Sequence, residues 1–312
     1  MAFDFRPRLL MYESFMFISV QLIALLTGLG LILTQQAPPR QGPVTNIPEL
    51  ASGSWQILLA FAIAVVLIFI LLRFIKVPAV WGGFFAFIIF IGAQTVFGSF
   101  LPFFFGSTLF SLILSVVLAA AIVIARWVKP NLATHNLAIF LGVAGVSAVL
   151  GLTLVPIVII FLLIILSVYD FIAVFKTRHM VTMFQDLLKR GMPLAIVVPE
   201  SSSEFTAHIG EVSRRKLKES EGKHRHEDKK VLMLGTGDLA FPALFAVSAL
   251  AEHFTTAGYL PAIAIIIGAV IGIVFNHYLL FVKKYRFIPA LPFIAAFSII
   301  GYVIAILPDL II

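Results

Sequence analysis

The chain has 312 residues, of which 61% are hydrophobic and 12% charged, about half the charged fraction of an ordinary soluble domain. That excludes a water-soluble enzyme, a collagen-like rod and a wholly disordered chain. The net charge is +7 and there is no cysteine, so disulfides, thiolate metal sites and cysteine nucleophiles are excluded, and any chemistry must come from carboxylates, His, Ser or Lys.

Stretches free of charge and long enough to cross a bilayer fall near 15–34, 55–72, 79–97, 108–125, 136–153, 156–175, 232–250, 259–282 and 288–308. The fifth and sixth are joined by only Leu152-Thr153-Leu154-Val155-Pro156; reading this as a turn predicts an all-α protein of nine transmembrane helices. Arg6 and Arg8 precede the first apolar run as in a signal peptide, but no small-x-small cleavage site follows, which predicts a retained span.

Basic residues test the count independently, because Lys and Arg collect in cytoplasmic loops. With the N-terminus inside and sides alternating, 21 of the 22 fall inside and Arg40 alone falls outside. One missed or added span in the middle would scramble that split. The expectation is a cytoplasmic N-terminus and an outer C-terminus. The positive charge then suits anionic lipid headgroups, and with no aromatic-interleaved basic patch no nucleic-acid partner is expected.

In domain terms, residues 1–155 read as transmembrane helices 1–5, 156–175 as helix 6, 176–231 as a cytoplasmic loop and 232–312 as helices 7–9. In the loop, Met180, Met183, Phe184, Leu187 and Leu188 fall on one helical stripe ending at Gly191, which predicts an interfacial amphipathic helix over 176–190. The polar stretch 200–230 is expected to be disordered. Its His224 and His226 read as solvated loop residues, and no metal site is expected.

Fifteen residues are Asp or Glu, and thirteen of them sit in loops or at span ends. Asp170 and Asp238 do not, and an acid in an apolar span is by default a functional residue. Asp170 lies six residues before Lys176 and Asp238 eight after Lys230, roughly 9 and 12 Å of helix, so the two share a level near the inner face. Carboxylates brought within a few ångströms share a proton and titrate as a unit, as in aspartic proteases. Tyr169 precedes the first acid. Gly235 and Gly237 precede the second and would let a backbone approach or the helix open there. Pro289-Ala290-Leu291-Pro292 opens the last span on the same side, with backbone groups left free by two prolines.

Tyr169-Asp170, Gly235-Thr-Gly237-Asp238 and Pro289-Ala290-Leu291 resemble the YD, GxGD and PAL motifs of presenilins and signal peptide peptidases, the intramembrane aspartyl proteases. Three such strings in order, on the expected spans, carry the resemblance over residues 156–308; the first five spans match in number and hydropathy only. A second Pro-Ala-Leu, Pro242 to Leu244, reads as a decoy. An inner N-terminus and short outer loops are most similar to a microbial, archaeal-type presenilin homologue. The resemblance implies a multi-pass protein of the cell membrane that uses Asp170 and Asp238 as catalytic acids, with Tyr169, Gly235, Gly237, Pro289, Ala290 and Leu291 supporting them.

The activity implied is hydrolysis of peptide bonds in transmembrane segments by an activated water, with no cofactor. Substrates with their N-termini outside are favoured. A helical substrate hides its amides and must unwind, and it is expected to pair as a strand with 231–234 or 194–198. Self-association stays open. No GxSG or HExxH string is present for serine or metalloprotease chemistry. Prepilin peptidases share a GxGD-type acid but fit the last-span PAL less well. From another class, a proton- or cation-coupled transporter or channel could use the two acids as a relay with His277 as third member, although His277 and Asn276 also suit polar packing.

Overall fold

The structure, a computed structural model, describes residues 7–34, 36, 59, 63, 67, 78–177, 195–198, 206–208, 210–211, 232–281 and 288–311. Among these the chain forms α1 (Pro7–Leu33), α2 (Pro78–Phe105), α3 (Leu109–Val128), α4 (Leu132–Thr153), α5 (Pro156–Ile172), β1 (Ala195–Val198), β2 (Leu232–Gly235), α6 (Thr236–His253), α7 (Leu260–Phe281) and α8 (Leu291–Ile311). Seven of these eight helices, all but α6, are long and apolar enough to cross a membrane. The expected span at 55–72 lies outside the described residues except for three helical positions, 59, 63 and 67.

Local chemistry sets the helix ends. Thr108 caps α3 by accepting the Ser111 N–H, and Asn131 caps α4 by accepting the Thr134 N–H at 2.9 Å, each satisfying a donor with no partner inside its helix. Gly106, at φ 69°, makes the turn between α2 and α3, a conformation costly for any residue with a Cβ. The short 152–156 connection separates two helices: α4 stops at Thr153, Val155 is extended and Pro156 starts α5, as expected where a proline bars the preceding residue from helix. The Ser248 hydroxyl donates to the Leu154 carbonyl and holds the break against α6.

The sequence reading needs three adjustments. The fold is not purely helical, because β1 and β2 form an antiparallel pair in the register Ala195↔Gly235 to Val198↔Leu232. The expected span at 232–250 therefore splits: 232–235 are extended and paired, and helix begins only at Thr236. Of the expected amphipathic helix 176–190, Lys176 and Thr177 belong to a π-helical turn, Ala173–Thr177, that continues α5, and the rest lies outside the described residues. Within the stretch expected to be disordered, Ala207 accepts the Leu132 N–H at 3.0 Å and His208 bridges to Asn131. His224 and His226 lie outside the described residues.

The bundle is organised around α6, which touches α1, α4, α5, α7 and α8 and is buried almost continuously from Pro242 to Ala251. A helix apolar all round is a core helix, and Ala243, Ala246, Ala249 and Ala251 let its neighbours come close. The decoy Pro242-Ala243-Leu244 belongs to this core. Elsewhere glycine sets the contact. A Cβ on Gly92 of α2 would overlap the carbonyl of Gly142 in α4, and one on Gly145 that of Gly92.

Gly145→Ala should therefore lower the thermal midpoint in detergent, corresponding to about 1–3 kcal/mol of overpacking. Gly82→Ala, where an added Cβ meets nothing within 4 Å, should leave the midpoint unchanged or slightly raised.

Candidate active site

Asp238 sits where strand becomes helix. Gly235 ends β2 and serves as the N-cap of α6 with extended backbone, φ −61° and ψ 144°, so Asp238 is the third residue of the helix. From there its carboxylate reaches back to accept the Gly235 N–H, the acid half of a capping box. A Cβ at position 235 would lie 3.1 Å from Asp238 Oδ2, so glycine is the residue that leaves room for this bond. Pro242, four residues on, has no N–H to give the Asp238 carbonyl. The next two carbonyls are held from outside: Gln21 of α1 donates to Leu239 O at 3.0 Å and Ser147 of α4 to Ala240 O at 3.2 Å.

Because the Gly235 N–H turns toward Asp238, it points away from β1, and the alternation of a strand turns Met233 the same way. The far edge of β2 thus carries the Met233 backbone groups and then, one alternation further, the Asp238 carboxylate.

Asp170 lies three residues before the π turn on α5 and is 6% exposed. Its carboxylate accepts the N–H of Leu291, the first residue of α8. This N–H has no partner within its own helix, and the helix dipole there favours a negative group. The flanking prolines explain why Leu291 supplies it: Pro292 lacks an N–H and holds the φ of a first turn, while buried Pro289 fixes the approach. Oδ1 of Asp170 is buried with no hydrogen-bond partner among the described residues. The two carboxylates are close enough for their charges to act directly on each other, so the fold brings together Asp170, Asp238, Gly235 and the Pro289–Leu291 segment.

That arrangement, two interacting carboxylates inside a membrane-type bundle, agrees with the comparisons. Residues 15–311 match the family described as signal-peptide peptidase, presenilin aspartyl protease. The chain belongs to this family. Two solved structures of a presenilin family intramembrane aspartate protease, in C222 and P2 crystal forms, share the fold. They cover 95% and 94% of this chain and 96% and 95% of theirs, at 20% and 22% identity and TM-scores of 0.60 and 0.59. No protein of curated function matches in sequence. The chain is therefore an intramembrane aspartyl protease and an integral, multi-pass membrane protein.

Other residues of the protease stand differently from the sequence reading. Tyr169 is 51% exposed, on the outer surface of α5 with Val168, Phe171 and Ile172, so its phenol is turned outward while Asp170 is turned in. Gly237 is exposed and Ala290 half-buried. Glu13 falls just before the first apolar run and counts there among span-end acids, but α1 begins at Pro7 and carries it into the bundle at 2% exposure. It bonds His277 Nδ1 of α7 at 2.8 Å, and its charge also reaches Asp238. The signal was present in His277 itself: a histidine inside an apolar span needs a polar partner, and Glu13 supplies it. His277, the third member of a transporter relay on the sequence reading, is thus engaged in a pair that joins α1 to α7.

His277→Leu leaves a buried carboxylate without its partner and should cost about 3–5 kcal/mol, read as a large fall in the thermal midpoint. Replacing both members, Glu13→Met with His277→Leu, should recover most of that loss, because no orphan charge remains.

Proposed function

We propose that Asp170 and Asp238 are the catalytic pair of this protease and cleave transmembrane segments of membrane-protein substrates with a single water. One carboxylate takes a proton from the water as its oxygen attacks the scissile carbonyl carbon. The other, protonated, hydrogen-bonds the carbonyl oxygen as charge builds on it. That oxygen then takes the second aspartate's proton to complete a gem-diol, which collapses with rupture of the C–N bond: the proton gained from water passes to the leaving amine and a diol hydroxyl returns its proton to the second aspartate, with no covalent intermediate. The observation that carries this reading is the mutual approach of the two carboxylates, each also bonded to a backbone N–H at a helix start.

A substrate helix must unwind before its amide can be reached, and an unwound stretch needs partners for its backbone. The far edge of β2 supplies them and leads directly to Asp238, which favours pairing of the substrate with 232–235. The other segment, 195–198, has β2 on one edge and His135 and Asn136 of α4 on the other; Leu194 and Val231 lie outside the described residues. In this reading Gly235 and Leu291 hold the acids, and Pro289, Ala290 and Gly237 shape the backbone around them.

We read the topology as nine spans with the N-terminus cytoplasmic and the C-terminus outside, on the support of the 21-to-1 division of basic residues, and substrates with outer N-termini as favoured. Neither the family nor the fold supports the transporter alternative.

In purified protein, Asp170→Asn and Asp238→Asn should each lower cleavage of a reporter transmembrane segment by roughly 10²–10⁴-fold, with thermal midpoints near that of the unmodified protein. Substantial cleavage by either folded variant would eliminate the paired mechanism.

A further inference from the structure

An isolated two-stranded sheet is marginal in stability, and a slip of one residue turns every side chain to the opposite face. Something must therefore hold β1 and β2 in register beside Asp238. The holding groups come from the start of α4. Asn136 Nδ2 donates to Val197 O at 2.8 Å, and Asn136 Oδ1 accepts the Val197 N–H at 3.0 Å. A side-chain amide presents a donor and an acceptor as a peptide group does, so Asn136 occupies the far edge of β1 as a neighbouring strand would. His135 adds a second contact, with Nε2 at 3.1 Å from Ala195 O. Arg126 Nε lies 3.4 Å from His135 Nδ1. Because a guanidinium only donates, Nδ1 accepts, and Nε2 carries the hydrogen given to Ala195. Both side chains are buried on α4, and their contacts fall on alternate residues of β1, the ones that face away from β2.

We propose that Asn136, seconded by His135, is a positioning and specificity-determining residue: it closes the outer edge of β1 and locks the β1–β2 register, so that a substrate backbone adds only along β2, at a fixed step from Asp238. The sheet is then built before substrate arrives, and the bond to be cut is chosen by counting along β2 from Met233 to Gly235. This rests on the reading, given above, that substrate binds as a strand. It assigns to α4 a part in specificity that its distance in sequence from both acids does not suggest.

The test uses the purified full-length protein in detergent, a reporter transmembrane segment, hydrogen exchange of residues 195–198 without substrate, and mass-spectrometric mapping of the cleaved bonds. Asn136→Ala should speed exchange at 195–198 by about tenfold or more, the effect of losing a buried hydrogen-bond pair, and spread cleavage over neighbouring bonds. Asn136→Asp keeps the acceptor for the Val197 N–H and loses the donor; it should give an intermediate result, and it carries the test if the alanine variant does not fold. Unchanged exchange would overturn the clamp. Faster exchange with cleavage still at the original bonds would overturn the specificity role. Met233→Pro removes an outward N–H from β2 without touching a bond to β1, and should lower cleavage at least tenfold, about the contribution of one backbone hydrogen bond left unmade. Unchanged cleavage in that variant would refute strand binding, while the exchange result would still judge the clamp on its own.

Discussion

A carboxylate inside an apolar bundle must find hydrogen-bond donors there, and nearly every backbone N–H in a transmembrane helix is already used. The exception is the first turn of a helix, where N–H groups have no internal partner and the dipole favours negative charge. Both acids of this protease use that exception. Asp170 lies against the start of α8 and accepts the Leu291 N–H, and Asp238 lies in the start of its own helix and accepts the Gly235 N–H. The site is in effect a meeting of two helix N-termini, one donor to each acid, with the carboxylates between them.

This requirement orders much of the chain. α6 must begin at the depth of Asp170, so the four residues before it are extended and need strand partners, which β1 and Asn136 supply. α8 must begin there too, and Pro289 and Pro292 make its start abrupt. α6 is then enclosed by five helices, and Gln21 and Ser147 take up the carbonyls beside the break at Pro242. The glycine contacts hold α2 closely against α4, which is one of those five helices. In the proposed mechanism the elements that carry function are helix ends and a short sheet, and the long apolar helices hold them at one level.

What was legible in the sequence follows from the strength of each signal. Long charge-free runs showed most of the helices, because few other arrangements satisfy twenty consecutive apolar residues. Asp170 and Asp238 stood out because acids are costly in such runs, and the motif strings around them pointed to the family that residues 15–311 match. Both strand segments were singled out as partners for a substrate strand, but their pairing with each other was hidden because Leu232-Met-Leu-Gly235 continues into an apolar helix with no change of composition, and only the N-cap geometry at Gly235 separates the two. Tyr169 entered as a residue that the resemblance places in support of Asp170; adjacent helical residues point about 100° apart, and Tyr169 is exposed where Asp170 is buried. Glu13 was missed because it precedes the apolar run by two residues. The helix extends beyond the hydropathy signal, as far as Pro7.

The central claim is that the two carboxylates act together on one scissile carbonyl, one through the attacking water and the other on the carbonyl oxygen. It is tested most directly by an experimental structure of the protein with a peptide isostere that carries a hydroxyl in place of the scissile carbonyl. The account predicts that hydroxyl within hydrogen-bond reach, roughly 2.6–3.2 Å, of both Asp170 and Asp238, with the inhibitor backbone alongside β2. A hydroxyl bound to one aspartate alone, or carboxyls held on separate faces of the bundle when the site is filled, would contradict it.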